Sequence, residues 1–211
     1  MRFSAIIFDW DGTLCQTLGL WVAAYQAALA DVGYALSADE VRDVFLHHHE
    51  RIDTLYPGLD YQGLLRAVYD NVAANIGRTQ LYRNAATTLW KLTAQECGVA
   101  LVSTSSRRVL TAGLATHGID DLFGFVLSGD EVARIKPDPE PFTTTLHALG
   151  LRAEETLVIG DNRGDILAGK AAGMQTCLFT PPENTAFHDF EDLRRSKPDF
   201  EIDDLAQILT M

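Results

Sequence analysis

Cysteine is scarce in this chain of 211 residues, with only Cys15, Cys97 and Cys177 present. Three is an odd number, and they lie in unrelated segments, which argues against a disulfide framework and against a CxxC metal knuckle. Positive charge is also short. Lys and Arg together number 17 against 29 Asp and Glu, a net charge of −12 at pH 7. An electrostatic grip on nucleic acid or an anionic membrane is therefore not expected, and an anionic substrate would need positive charge supplied locally. No apolar stretch approaches the length of a membrane span. The opening MRFSAIIFDWDG has too short an apolar run for a signal peptide before it meets acid. We expect a reducing, cytoplasmic setting.

What is present is ordinary for a globular chain, at 47% apolar and 22% charged residues, with length for one large domain or a core plus a small satellite. Short apolar runs recur at SAIIF (4–8), GVALVS (98–103), FGFVLS (123–128), TLVIG (156–160) and QTCLFT (175–180), with a weaker one at DFEI (199–202). Runs without polar alternation suit strands covered on both faces, hence a parallel sheet between helix layers. Helical patterns lie between them. RRVLTAGLATHG (107–118) has Ser105 or Ser106 to cap it and Gly118 to end it, and PEPFTTTLHALG (139–150) has Pro near its start and Gly150 at its close. The alternation predicts an α/β fold with a Rossmann-like, doubly wound parallel sheet. Residues 17–81 break the rhythm, with helical periodicity and no convincing strand, and read as a helical insertion. The expected division is a core of residues 1–16 and 82–211 with an inserted domain at 17–81.

The strand ends carry unusual residues. In AIIFDWDGTL (5–14) a greasy run ends in Asp9 and Asp11, which alternation places on one face of an extended chain. Like charges that close repel, and one stays protonated unless a cation sits between them. The 98–103 run ends at Ser103-Thr104-Ser105, the 123–128 run leads to Lys136, and the 156–160 run leads to Asp161 with Asp165 one turn on. In an open α/β sheet these ends share one rim. Carboxylates, hydroxyls and an ammonium together suit a hard cation such as Mg²⁺ beside a phosphate. A phosphoryl group repels an anionic nucleophile until its charge is offset. A carboxylate can then attack phosphorus, and a second can protonate the leaving oxygen. Asp9 is the expected nucleophile and metal ligand, Asp11 the acid/base.

FDWDGTL, LVSTS, RIKPDPEPF and VIGDNRGDILAGKAAGM, in that order, resemble the four motifs of the haloacid dehalogenase superfamily, and within it the phosphoglycolate phosphatase-like hydrolases. The resemblance runs from residue 4 to about residue 180, with the insertion where many members carry a helical cap. It implies that the Asp11 backbone carbonyl also touches Mg²⁺, and that Ser103 bonds the phosphate with help from the Thr104 N–H. It further implies that Lys136 bridges nucleophile and phosphate, that Asp161 ligates Mg²⁺ with Asp165 direct or through water, and that Gly12 and Thr13 shape the loop. A cap that closes during attack and opens for release is expected with it. Gln16 stands where members often have Asp, and Arg83-Asn84 where they often have Pro-Gly; both departures bear on the cap. True dehalogenases usually lack an acid at Asp11, so its presence favours phosphate chemistry.

Other features weigh less. GDILAGKA (164–171) nearly reads as a P-loop, but Ala171 replaces the Ser or Thr that would hold Mg²⁺ and the segment looks helical. His47, His48 and His49 cannot converge on one ion from a helix, whose successive side chains turn by about 100°. His47 and Arg51, at i and i+4, share a face as candidate substrate contacts or as a solvated polar face. Trp21, Tyr25 and Leu65 read as packing. The function expected is a Mg²⁺-dependent phosphatase acting on a small phosphorylated metabolite, as monomer or homodimer. A sugar-phosphate mutase of the same family and a catalytically silent phosphate-binding module are the alternatives.

Overall fold

The computed structural model describes residues 2–211, with His49 described by its backbone alone. The described residues form a six-stranded sheet in the order β3-β2-β1-β4-β5-β6, every pairing parallel. The strands are β1 (Ala5–Phe8), β2 (Gly98–Val102), β3 (Phe125–Leu127), β4 (Thr156–Gly160), β5 (Gln175–Phe179) and β6 (Phe200–Ile202). Each falls inside one of the six apolar runs.

The chain divides into two compact units, residues 1–16 with 80–211, and residues 17–79. The first holds the sheet and helices α5 (Ala85–Ala94), α6 (Arg107–His117), α7 (Glu140–Leu149), α8 (Arg163–Ala171) and α9 (Phe190–Arg194). Unalternating strands arise because both faces are covered. Ile6 and Phe8 of β1 join Leu101 and Ile159 in a core with Leu89 and Leu92 of α5 and Leu110 and Leu114 of α6. Ile7 faces the other way, into a core with Val102, Val158, Phe142 of α7 and Ala168 of α8. Burying one such side chain contributes about 1.5–3 kcal/mol, so the period-2 split fixes the register on both sides at once. Gly118 and Gly150 end α6 and α7 in the left-handed conformation, at φ 61° and 63°, which a residue without Cβ enters readily.

The second unit contains α1 (Leu18–Asp31), α2 (Ala38–Val41), a π-helical turn over Arg42–His47, α3 (Ile52–Leu55) and α4 (Tyr61–Asn75). Among its described residues there is no strand. Ser37 opens α2 with a capping box: its hydroxyl accepts from Glu40 N at 3.3 Å and the Glu40 carboxylate accepts from Ser37 N at 2.8 Å. The aromatics pack against one another, Trp21 edge-on to Tyr69 at 5.4 Å and Phe45 against Tyr25 and Tyr56 at 5.3 and 5.5 Å. No helix among the described residues is long and apolar enough to cross a membrane.

Candidate active site

β1 pairs with β2 on one side and β4 on the other, so the strand order reverses at its carboxyl end, where open α/β sheets collect ligands. The ladder runs one residue further, with Asp9 N donating to Ile159 O at 2.9 Å. The chain then turns tightly. The Trp10 carbonyl accepts from the N–H groups of Thr13, Leu14 and Cys15 at 3.0–3.3 Å, and Gly12 takes φ 75°, a value that L side chains resist. This turn sets Asp11 beside Asp9 instead of carrying it onward along the strand.

Lys136 is nearly enclosed, its side chain 3% exposed. Its ammonium donates to Asp9 Oδ1 at 2.6 Å, Asp165 Oδ1 at 2.6 Å and Val102 O at 3.1 Å, which accounts for all three of its N–H bonds. Phe142 lies behind it, ring centroid 5.9 Å from Nζ. Asp165 belongs to the first turn of α8, where Asn162 caps the helix and Asp165 Oδ2 accepts from Asn162 N at 3.3 Å. Asp161 follows β4 directly. One carboxylate oxygen from each of Asp9, Asp161 and Asp165 lies within 4.8 Å of the others, all three residues buried.

Electrostatics follow from that crowding. Burial pushes the Asp9 carboxyl well above the usual carboxylate range; Lys136 opposes the rise, and the charges of Asp165, Asp161 and Asp11 add to it. Asp165 is raised by burial as well, again against Lys136. Burial alone would lower Lys136, but the Asp165 and Asp9 carboxylates outweigh it and hold the ammonium above its ordinary value. Three buried carboxylates stand beside one ammonium, which bonds only Asp9 and Asp165 among them, and this leaves excess negative charge in the cluster. The donor set consists of the ligands that a hard, oxygen-seeking divalent cation prefers, and such a cation would offset that excess.

Asp11 faces hydroxyls instead. Ser105 Oγ donates to Asp11 Oδ2 at 2.6 Å, and Ser103 Oγ stands 3.4 Å from the same oxygen. Ser103 Oγ also accepts from Ser105 N at 3.0 Å. Ser106 occupies the cap position of α6 without a side-chain cap bond. Of the two alternatives the sequence offered for the cap, Ser105 or Ser106, it is Ser106 that takes the position, while Ser105 is buried against Asp11. Thr104 is exposed and Thr13 buried.

His47 and Arg51 belong to the second unit. His47 ends the π-helical turn and is exposed, while Arg51 donates to Asp43 Oδ2 at 2.9 Å. GDILAGKA (164–171) lies wholly within α8, not on a phosphate-wrapping loop.

Sequence reasoning passed over residues 181–189. There Asn184 Nδ2 donates to Gly12 O at 2.9 Å and its Oδ1 accepts from Tyr82 OH. His188 Nε2 meets Asp161 Oδ2 at 2.7 Å. Ser105 lay inside the quoted LVSTS motif and was within reach of sequence reading; Asn184 and His188 follow no motif.

The haloacid dehalogenase-like hydrolase family model matches residues 6–179. The chain belongs to that family. Among curated relatives of this haloacid dehalogenase-like hydrolase, phosphoglycolate phosphatase of Vibrio cholerae is 34% identical, the match covering 97% of this chain and 94% of the relative. Pyrophosphatase PpaX of Oceanobacillus iheyensis is 27% identical over 100% of this chain and 97% of its own. A solved structure of a predicted phosphoglycolate phosphatase from Haemophilus somnus 129PT superposes with TM-score 0.83 at 28% identity, covering 100% of this chain and 98% of that one. The haloacid dehalogenase-like hydrolase described here is thus an enzyme of the phosphatase type, built on the six-stranded parallel core of its family.

Proposed function

We propose that this hydrolase is a Mg²⁺-dependent phosphatase that cleaves a small phosphorylated metabolite through an aspartyl-phosphate at Asp9. The observation carrying this reading is the enclosed Lys136, bonded at once to Asp9 and Asp165, with Asp161 completing the acidic cluster. In the first step an Asp9 oxygen bonds to phosphorus as the ester P–O bond breaks, and Asp11 gives its proton to the leaving oxygen. In the second, water attacks phosphorus and Asp11 takes the water's proton. The Asp9–phosphorus bond breaks, and inorganic phosphate departs with Asp9 restored. Lys136 keeps Asp9 oriented and offsets part of the charge on nucleophile and phosphoryl group. Ser103 and the Thr104 N–H donate to the phosphate, and Gly12 and Thr13 hold the turn that presents both acids. Asp9, Asp161 and Asp165, with the Asp11 backbone carbonyl, would hold Mg²⁺, whose chemistry is to neutralise charge and fix the phosphoryl oxygens.

The substrate class follows the relatives, one named a phosphoglycolate phosphatase and another a pyrophosphatase; phosphoglycolate is the first compound to test. We assign recognition of the rest of the substrate to the unit of residues 17–79, acting as a cap, with His47 and Arg51 as candidates. The deciding experiment measures inorganic phosphate released from p-nitrophenyl phosphate and a panel of phosphorylated metabolites, with Mg²⁺ and with EDTA, for the wild type and Asp9→Asn. Release that requires Mg²⁺ and vanishes in the folded variant is expected. Turnover retained by Asp9→Asn contradicts the mechanism, and isomerisation without phosphate release would point to a mutase.

A further inference from the structure

We infer that His188 is a positioning residue, whose imidazole fixes the carboxylate of Asp161 in the orientation that serves the divalent cation. The inference rests on the metal-dependent reading above and adds a residue from a segment outside its motifs. His188 Nε2 lies 2.7 Å from Asp161 Oδ2, the two side chains 4% and 1% exposed. Lys136 spends its three bonds on Asp9, Asp165 and Val102, so the ammonium that holds the other two acids does not hold Asp161. Asn162 Nδ2 approaches Asp161 Oδ1 at 3.2 Å. With Nε2–H donating to Oδ2, the carboxylate plane has a support on each oxygen and cannot spin.

The segment carrying His188 is itself anchored. His188 N and Phe187 N donate to Asn184 O at 3.0 and 2.8 Å. Asn184, 1% exposed, grips Gly12 O through Nδ2 and Tyr82 OH through Oδ1. One short stretch after β5 therefore reaches both the turn bearing Asp11 and the acid after β4. A buried His–Asp contact kept for stability alone would not require its segment to be tied to the nucleophile loop.

Partners that orient a metal ligand cost about 10–100-fold in metal affinity when removed. The test titrates Mn²⁺ into the EDTA-stripped full chain, reading free Mn²⁺ by electron paramagnetic resonance with no substrate present. It compares wild type, His188→Ala, His188→Gln and Asp161→Asn, with circular dichroism to verify folding. Expected is weakening of about 10-fold or more in His188→Ala and recovery in His188→Gln, whose Nε2 donates from a similar reach. The Mg²⁺ concentration for half-maximal hydrolysis of p-nitrophenyl phosphate should move in parallel. Wild-type Mn²⁺ affinity in a folded His188→Ala overturns the inference while leaving the metal reading intact. Should that variant not fold, His188→Gln and His188→Asn decide it: the longer amide keeping affinity and the shorter losing it supports positioning, and equal affinity overturns it. Failure of the wild type to bind Mn²⁺, with Asp161→Asn indistinguishable from it, removes the metal reading itself.

Discussion

Asp11 faces hydroxyls, Ser105 the nearer and Ser103 the farther, and those contacts distinguish it from Asp9. Asp9 faces an ammonium and two carboxylates in a buried cluster, whereas Asp11 Oδ2 accepts from Ser105 at 2.6 Å. Two acids one residue apart thus have different partners, which suits the proposed division into nucleophile and proton carrier. The Ser105 backbone keeps its own bonds, N to Ser103 Oγ at 3.0 Å and O from Gly129 N at 2.9 Å, so Ser105→Ala deletes the Asp11 contact without freeing the loop. A hydrogen bond to a charged group contributes about 1.5–3 kcal/mol, which sets the expected fall in kcat at roughly 10-fold or more. KM should change much less. Steady-state kinetics on p-nitrophenyl phosphate checks this, and a kcat within about twofold of wild type would show that Asp11 needs no such support. At this scale legibility depended on local pattern. Asp9, Asp11, Ser103, Lys136, Asp161 and Asp165 all follow apolar runs that announce strand ends. His188 sits alone in an irregular segment, and its approach to Asp161 exists only because β5 lies beside β4.

At the scale of elements, α8 shows how closely a helix must approach the sheet to deliver Asp165. Gly169, one turn after Asp165, faces Thr176 of β5 and Val158 of β4, and a Cβ there would lie 2.9 Å from Thr176 Cγ2 and 3.2 Å from Val158 Cγ2. Gly169→Ala sets two effects against each other. Helix propensity favours Ala by about 1 kcal/mol, while overpacking costs about 1–3 kcal/mol. Overpacking should win, because both obstacles are methyls of β-branched residues fixed in a buried sheet. The expected result is a lower urea midpoint with lower activity, as the turn bearing Asp165 is pushed outward; a raised midpoint would mean that α8 shifts freely. The strands and the long helices were legible because their side-chain periods are set by burial on two sheet faces and by Gly caps. The π-helical turn at Arg42–His47 was not, since a single extra residue per turn leaves hardly any trace in a pattern of 3.6.

For the whole molecule, the order β3-β2-β1-β4-β5-β6 matters more than any one element. Sequence shows that strands and helices alternate, which gives the α/β class. It does not show which strand is central, because neighbours in the sheet are chosen by long-range packing. Placing β1 between β2 and β4 is what lets Lys136, 127 positions along the chain from Asp9, reach it. The resulting excess of buried carboxylate opposes folding, so a bound cation, as proposed, should stabilise the unit that carries the site. A ligand that binds only the folded state at about 100 times its Kd adds about 2.7 kcal/mol, and each kcal/mol moves Tm by about 2–4 °C in chains of this size. Scanning calorimetry with saturating Mg²⁺ should therefore raise the core transition by about 5–10 °C, and EDTA should reverse the rise. Asp161→Asn should abolish it. Ca²⁺, equally hard but larger, tests whether charge alone suffices: similar stabilisation with no turnover would assign the catalytic demand to geometry, while absence of any shift with either ion would leave the acidic cluster without the role argued for it.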